Sequence, residues 1–206
     1  MNRFDEQAAQ WDENPMRVQA ASGIADAMIA HLHLRGDQTL MDFGTGTGLI
    51  ALKLQPHVAK IVAVDSSHGM LTVLNRKLRE SKITAIETRE WSVGQDTNSF
   101  PPFDVIVSSL TLHHVKDTHA VAKTFHQLLL PGGQLAVADL DEDNGEFHDD
   151  PHAAEHNGFN RDTLRKIFEN AGFTSLSFHE AYTIVKPRPD GRQKSFPVFL
   201  MTATKP

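Results

Sequence analysis

"MDFGTGTGLIAL", residues 41–52, decides how the rest of the chain is read. An apolar run stops at Asp42, glycines follow at positions 44, 46 and 48, and an apolar run of helical character resumes at Leu49. Glycine admits positive φ and lets another group approach the backbone, so three alternating glycines between a strand and a helix mark a point of close contact with the main chain. Outward from this stretch, short apolar runs alternate with longer amphipathic ones. Strands are expected at Thr39–Phe43, Ile61–Asp65, Thr84–Thr88, Asp104–Ser108 and Gln134–Asp139, with helical segments Leu49–Leu54, Met70–Arg79 and Ala120–Leu129 between them. The runs "IVAVD", "DVIVSS" and "QLAVADL" are apolar on both faces, as strands are in a parallel sheet covered by helices. Strand, helix, strand repeated in this way implies a doubly wound α/β fold.

The two ends read differently. Ile24–Leu32 has the pattern of an amphipathic helix before the first strand, and "NRDTLRKIFENAGF", residues 160–173, that of a helix stopped by Gly172. Two strand-like runs follow, residues 175–185 and 197–204, joined by "KPRPDGRQKSFP" with its proline and Asp-Gly turn chemistry. No crossover helix fits in that connection, so the last two strands are expected to be antiparallel neighbours.

Composition narrows the function. The chain has 206 residues, enough for one well-buried domain. It has no cysteine, which excludes disulfides, thiolate catalysis and thiolate-bound metals and leads us to expect a cytoplasmic location. No run of 18 apolar residues is present, so no membrane span is expected, and the polar, acidic first residues argue against a targeting peptide. The net charge of −6 lowers the expectation of nucleic-acid binding, where phosphate contacts favour a basic surface.

Two ligands compete for the glycines. Gly46, Gly48 and Ala51 satisfy G-x-G-x-x-A, and Asp65 stands 19 residues beyond Gly46, as in a dinucleotide fingerprint. A pyrophosphate, however, favours helix N-terminal amides without a carboxylate beside them, and Asp42 adjoins this turn. A ligand bearing an ammonium and a sulfonium gains from that carboxylate, and S-adenosylmethionine is such a ligand. Asp65, ending the second strand, can accept the two ribose hydroxyls of either.

The chain also resembles class I S-adenosylmethionine-dependent methyltransferases, the small-molecule type related to quinone-biosynthesis methyltransferases. The matching pieces, in order, are "LMDFGTGTGLIAL", "VAVDSSHGML", "FDVIVSSLTLHHVKD", "LLLPGGQLAVADL" and "GFNRDTLRKIFENAGF". The resemblance runs from about Phe4 to the end of the sequence. It implies one domain with a seven-stranded, mostly parallel sheet, an antiparallel last strand and helices on both faces. Residues 1–35 would form a helical cap, 36–140 the cofactor-binding half and 141–206 the substrate side. It implies that Gly44, Gly46 and Gly48 underlie the methionine part of the cofactor, that Asp42 orients that loop, and that Asp65 holds the ribose. Ser66 and Met70 match positions along ribose and adenine, and Glu90 with Trp91 is the nearest match to the adenine-binding pair, Asp96 being its competitor. Ser108 ends the fourth strand at the cofactor's reactive end.

His113 and His114 follow that strand, and histidine is the natural general base near neutral pH, although the same pair also serves as a packing element. Phe4, Trp11 and Arg17 belong to a segment that closes over the active site in look-alikes. The acidic stretch 139–156 carries His148, His152 and His156 at helical spacing, but Pro151 interrupts it. A lid over a cationic cofactor is expected there, and no metal. The N/D-P-P-Y run of base-amino methyltransferases is absent after the fourth strand, where Ser108-Ser109-Leu110-Thr111 stands. The expected activity is methyl transfer to a small molecule by in-line displacement, with S-adenosylhomocysteine as product. A nicotinamide-dependent oxidoreductase and a non-catalytic S-adenosylmethionine-binding partner protein are the alternatives.

Overall fold

The computed structural model describes residues 3–148, 150, 152–188 and 191–206. Pro151, at the break in the acidic stretch, and Pro189 and Asp190, from the final turn, lie outside them. Seven strands form one sheet: β1 (Thr39–Phe43), β2 (Lys60–Asp65), β3 (Ile86–Glu90), β4 (Phe103–Ser109), β5 (Leu129–Leu140), β6 (Thr174–Pro187) and β7 (Gln193–Thr204). Their spatial order is β3-β2-β1-β4-β5-β7-β6. β1 pairs in parallel with β2 and β4, β2 with β3 and β4 with β5, whereas β7 runs antiparallel to both β5 and β6.

The helices are α1 (Arg3–Gln7), α2 (Pro15–His31), α3 (Leu49–Leu54), α4 (His68–Glu80), α5 (Thr118–Leu128) and α6 (Arg161–Asn170). Period-two alternation along the strands sorts the core into two layers. Leu40, Ile61, Val105 and Ala136 face one side and meet Ile24 and Met28 of α2, Ile50 and Leu54 of α3, and Leu74 of α4. Their strand neighbours Met41, Val62, Ile106 and Leu135 face the other and meet Val121 and Phe125 of α5 and Leu164 and Phe168 of α6. Phe103, Phe125, Phe168 and Phe199 are fully buried, each contributing about 1.5–3 kcal/mol by removal from water.

Several expected boundaries move. The helix expected at Ile24–Leu32 begins at Pro15, because Asn14 accepts from the Met16 amide at 3.0 Å and proline occupies the first turn. The strand expected at Thr84–Thr88 lies at Ile86–Glu90, set by its pairing of Ile61 with Ile86. The last two strands are longer than expected and leave only residues 188–192 between them.

The chain passes β1-β2-β3 in one direction and then returns through β4 and β5, so the carboxyl ends of β1 and β4 flank the switch point. Open α/β sheets bind ligands there.

Candidate functional site

The glycine loop leaves β1 and returns into α3. The amides of Gly44 and Thr45 donate to the Val64 carbonyl at 2.8 and 3.0 Å, tying the loop to the end of β2. All three glycines have positive φ, of 73°, 54° and 84°, but their surroundings differ. A Cβ on Gly44 would stand 2.2 Å from Thr111 Oγ1, and one on Gly48 2.3 Å from Leu74 Cδ1. At Gly46 the nearest atom is Met70 Sδ, 4.0 Å away. Two glycines thus admit protein neighbours, and the middle one fronts open space that a side chain would fill.

Two carboxyls lie beneath this loop. Asp42 is 1 % exposed and accepts from Thr45 Oγ1 at 2.6 Å. Burial pushes its carboxyl up to about 7, against the Thr45 hydrogen bond and helped by the charge of Asp65. Asp65 accepts from the Gly46 amide at 2.7 Å and the Ser67 amide at 2.9 Å, and burial raises its pKa too. Ser66 is exposed at the turn, and Ser67 caps α4 through the Met70 amide. Met70 is buried below Gly46.

Glu90 ends β3 opposite Asp65 and meets His68 Nδ1 at 3.1 Å. The Trp91 amide donates to the Asp65 carbonyl at 3.0 Å, and its indole is buried against Phe43 and Phe100. The indole N–H donates to the Asp96 carbonyl at 3.1 Å, so Trp91 and its competitor Asp96 are joined to each other.

The N-terminal segment lies across this end of the sheet. Asp5 accepts from Ser67 Oγ at 2.6 Å and from the Gly69 amide at 2.9 Å, at the start of α4. Gly69 is needed there, since a Cβ would come 2.8 Å from Asp5 Cα. Asp12 accepts from Thr47 Oγ1 at 2.6 Å and pairs with Lys77. Arg17, Trp11, Phe4 and His114 form a stacked series: the guanidinium is 3.8 Å from the Trp11 ring, and Phe4 is edge-on to Trp11 at 6.0 Å and to His114 at 5.1 Å. Of these three N-terminal residues, Phe4 is the one in ring contact with the histidine pair.

Beyond β4 the chain turns sharply. Ser108 is buried with its hydroxyl donated to the Phe43 carbonyl at 3.0 Å. Leu110 takes a left-handed conformation, φ 49°, a strained state for a leucine. A 3-10 turn at Leu112–His114 follows. His113 is buried, and its Nδ1 lies 2.6 Å from Asp139 Oδ1, at the end of β5. A carboxylate only accepts, so Nδ1 carries a proton, and in the neutral ring the acceptor nitrogen is Nε2. Asp139 also accepts from the His113 and Leu140 amides, at 3.2 and 2.8 Å.

The amides of Glu155 and His156 donate to the His113 carbonyl, which docks the 153–156 segment on the turn. The same loop returns His148 to within 5.2 Å of the His113 ring and 5.3 Å of the His114 ring. Burial, with the His113 ring nearby, lowers His114 to about 2 and His148 to about 4, so both are neutral at physiological pH. His152 and His156 do not join them as helical spacing suggested, and the His156 Nε2 donates to the Val115 carbonyl at 3.0 Å. Asp5, Asp12, Asp139 and the place of His148 escaped sequence reasoning. Asp139 had a readable signal: like Asp42 and Asp65, it is an acid at the end of an apolar strand.

Comparison with known proteins agrees with this architecture. An uncharacterised methyltransferase of Schizosaccharomyces pombe is 32 % identical over 156 residues, 68 % of this chain and 55 % of its own length. The ubiquinone biosynthesis O-methyltransferase of Pseudomonas paraeruginosa is 27 % identical over 133 residues, 63 % of this chain and 52 % of its own. The chain thus spans about half the length of these relatives. The structure of Haemonchus contortus phosphoethanolamine N-methyltransferase 2 in complex with S-adenosyl-L-methionine superposes with a TM-score of 0.70 at 15 % identity, covering all of this chain and 60 % of that one. The family model for the methyltransferase domain matches residues 7–177, so the chain, with its glycine loop and strand-end acids inside that span, belongs to the methyltransferase-domain family.

Proposed function

We propose that the protein transfers a methyl group from S-adenosylmethionine to a small-molecule acceptor by in-line displacement. The observation that carries this reading is the pair of carboxyls, Asp42 and Asp65, beneath a glycine loop whose middle residue fronts open space. Two acids in that place oppose a pyrophosphate and favour the ammonium and sulfonium of this cofactor. When bound, the sulfonium supplies a methyl carbon that is already electrophilic.

The chain's own work is then alignment and exclusion of water, which together supply a large share of such a rate. The Gly46 backbone takes the methionine part, and Asp65 turns from the Gly46 amide toward the ribose hydroxyls. Ser66, Met70, Glu90 and Trp91 border the adenosine side, and Ser108 fixes the end of β4 beside the reacting centre. His113, with Nδ1 held by Asp139, presents Nε2 as the group able to accept an acceptor's proton. His114, neutral at physiological pH, and Phe4 wall the same side, with Trp11 and Arg17 behind. Residues 36–140 are read as the cofactor half and 141–206 as the acceptor half of one domain.

Calorimetric titration with S-adenosylmethionine, S-adenosylhomocysteine and NADH tests this. Micromolar binding of the two sulfur nucleotides, lost in Asp65→Ala and absent for NADH, is the expected result. NADH binding without any response to the sulfur nucleotides would return the loop to the dinucleotide fingerprint.

A further inference from the structure

Three imidazoles converge where the 112–114 turn meets the 141–159 loop. One ring nitrogen from each of His113, His114 and His148 lies within 4.8 Å of the others. The rings of His113 and His114 are 4.0 Å apart between centroids. Imidazoles gathered in this way can pack, hydrogen-bond one another or share a cation. They do not bond one another here: His113 gives its Nδ1 proton to Asp139, and His148 Nε2 is buried without a partner among the described residues.

We propose that His113, His114 and His148 bind a divalent transition-metal ion of the zinc type, with Asp139 as the carboxylate that orients His113. Imidazole nitrogen is a preferred ligand for zinc, copper and nickel. A ligating histidine characteristically donates its other ring N–H to a carboxylate or a backbone carbonyl, and His113 has such a partner in Asp139.

A tetrahedral ion bound at about 2.0–2.1 Å places its ligand nitrogens roughly 3.4 Å apart. Ring rotations of the three imidazoles would have to close the remaining gap. The surrounding charge is balanced: Asp139 and Asp143 face the cluster as anions, Arg3 and Lys186 as cations. Asp143 Oδ2 is itself buried without a partner among the described residues. Three protein ligands leave a fourth position open, which is the arrangement of reactive rather than purely structural zinc sites.

The ion site stands on these side chains alone, and its role toward an acceptor rests on the methyl-transfer reading. With an ion bound, His113 Nε2 is a ligand and no longer the base, and an acceptor hydroxyl in the open position loses its proton to solvent more readily on the metal. The resulting oxyanion forms the new O–C bond as the C–S bond breaks, its electron pair leaving with the sulfur.

The test uses the full chain, stripped with chelator and titrated with Co²⁺ as a spectroscopic substitute for Zn²⁺. One equivalent per chain should bind with an intense visible d–d band of tetrahedral type and be displaced by Zn²⁺. His148→Ala should abolish the band, Asp139→Asn should weaken binding by roughly 10–100-fold, and His152→Ala should change neither. S-Adenosylhomocysteine titration of His148→Ala should match wild type, which shows that the variant is folded. Absence of a tetrahedral band in wild type, or a band that survives in His148→Ala, would overturn the proposal. Cobalt binding as expected in a protein that ignores S-adenosylhomocysteine would sink the methyl-transfer reading and leave the metal site standing, with His148→Ala then checked by circular dichroism.

Discussion

The carboxyl edge of the sheet has two ends built on opposite terms. At the β1–β2 end, each polar group of the glycine loop named above has a partner: Asp42 holds Thr45, Asp65 holds the Gly46 and Ser67 amides, and Asp12 holds Thr47. At the β4–β5 end, the two buried side-chain polar atoms without a partner among the described residues, Asp143 Oδ2 and His148 Nε2, lie within one loop. The first end is a finished cradle. The second holds polar atoms that the described residues leave unpaired. Their pKa shifts differ in sign, although burial favours the neutral form at both: it raises Asp42 and Asp65 at the first end and lowers His114 and His148 at the second.

The sharpest way to break this contrast is at Gly44. Gly44→Ala places a Cβ 2.2 Å from Thr111 Oγ1 on a backbone with φ of 73°, so it strikes the tie between the two ends. Chemical denaturation should show a loss of about 3 kcal/mol or more. Adding Thr111→Gly should restore most of it, leaving about 1 kcal/mol of backbone strain. An unrelieved double variant would mean that the clash is not the cause.

Asp42→Asn comes next. Its folded pKa, about 7, exceeds the ordinary 3.8, so the native state keeps a proton that the unfolded chain has lost. That contribution is complete below pH 4 and disappears as pH rises to 7. The asparagine variant should therefore be more stable than wild type at pH 8, by up to about 4 kcal/mol, and similar to it at pH 4. It should bind S-adenosylmethionine more weakly. An equal stability difference at both pH values would show that ionisation at Asp42 is not what costs stability.

Gly46→Ala separates binding from folding. Open space awaits the Cβ, so stability should fall by only about 1 kcal/mol from the positive φ. S-Adenosylhomocysteine affinity should fall at least tenfold by calorimetry, and unchanged affinity would remove Gly46 from the cofactor cradle.

The smallest effect is at the other end. His114 and His148 have lowered pKa values, so their stabilising contribution is present above the ordinary 6.5 and is lost as pH falls through about 4 for His148 and about 2 for His114. Melting temperatures followed from pH 7 to pH 4 should decline less steeply in His148→Asn than in wild type. Parallel curves would contradict the assigned environment of His148.

The first end could be read in the sequence and the second could not, for a physical reason. Gly44, Gly46 and Gly48 obey local rules of backbone geometry, and Asp42 and Asp65 end their own apolar runs, so three short segments state the arrangement by themselves. The repetition of strand, helix, strand and the short final connection likewise announced the sheet and its antiparallel close. The histidine cluster joins residue 148 to residues 113 and 114 through a loop return, which no periodicity encodes. Helical spacing pointed instead to His152 and His156, and the docking of 153–156 on the His113 carbonyl defeats that spacing. The start of α2 was missed although Asn14 and Pro15 mark it, because its apolar residues are small and scattered early in the helix.

The order of the strands also bears on how the protein is made. β7 is the last strand in the chain, yet it lies between β5 and β6. During synthesis β6 emerges first and has no edge to join, while β5 waits with one side open. Only when residues 193–204 have been made can the sheet grow past β5. The nascent chain therefore carries two unpaired edges until residues 193–204 have emerged, a state prone to intermolecular pairing. A chain stopped before Gln193 should aggregate even with both ends of the carboxyl edge intact.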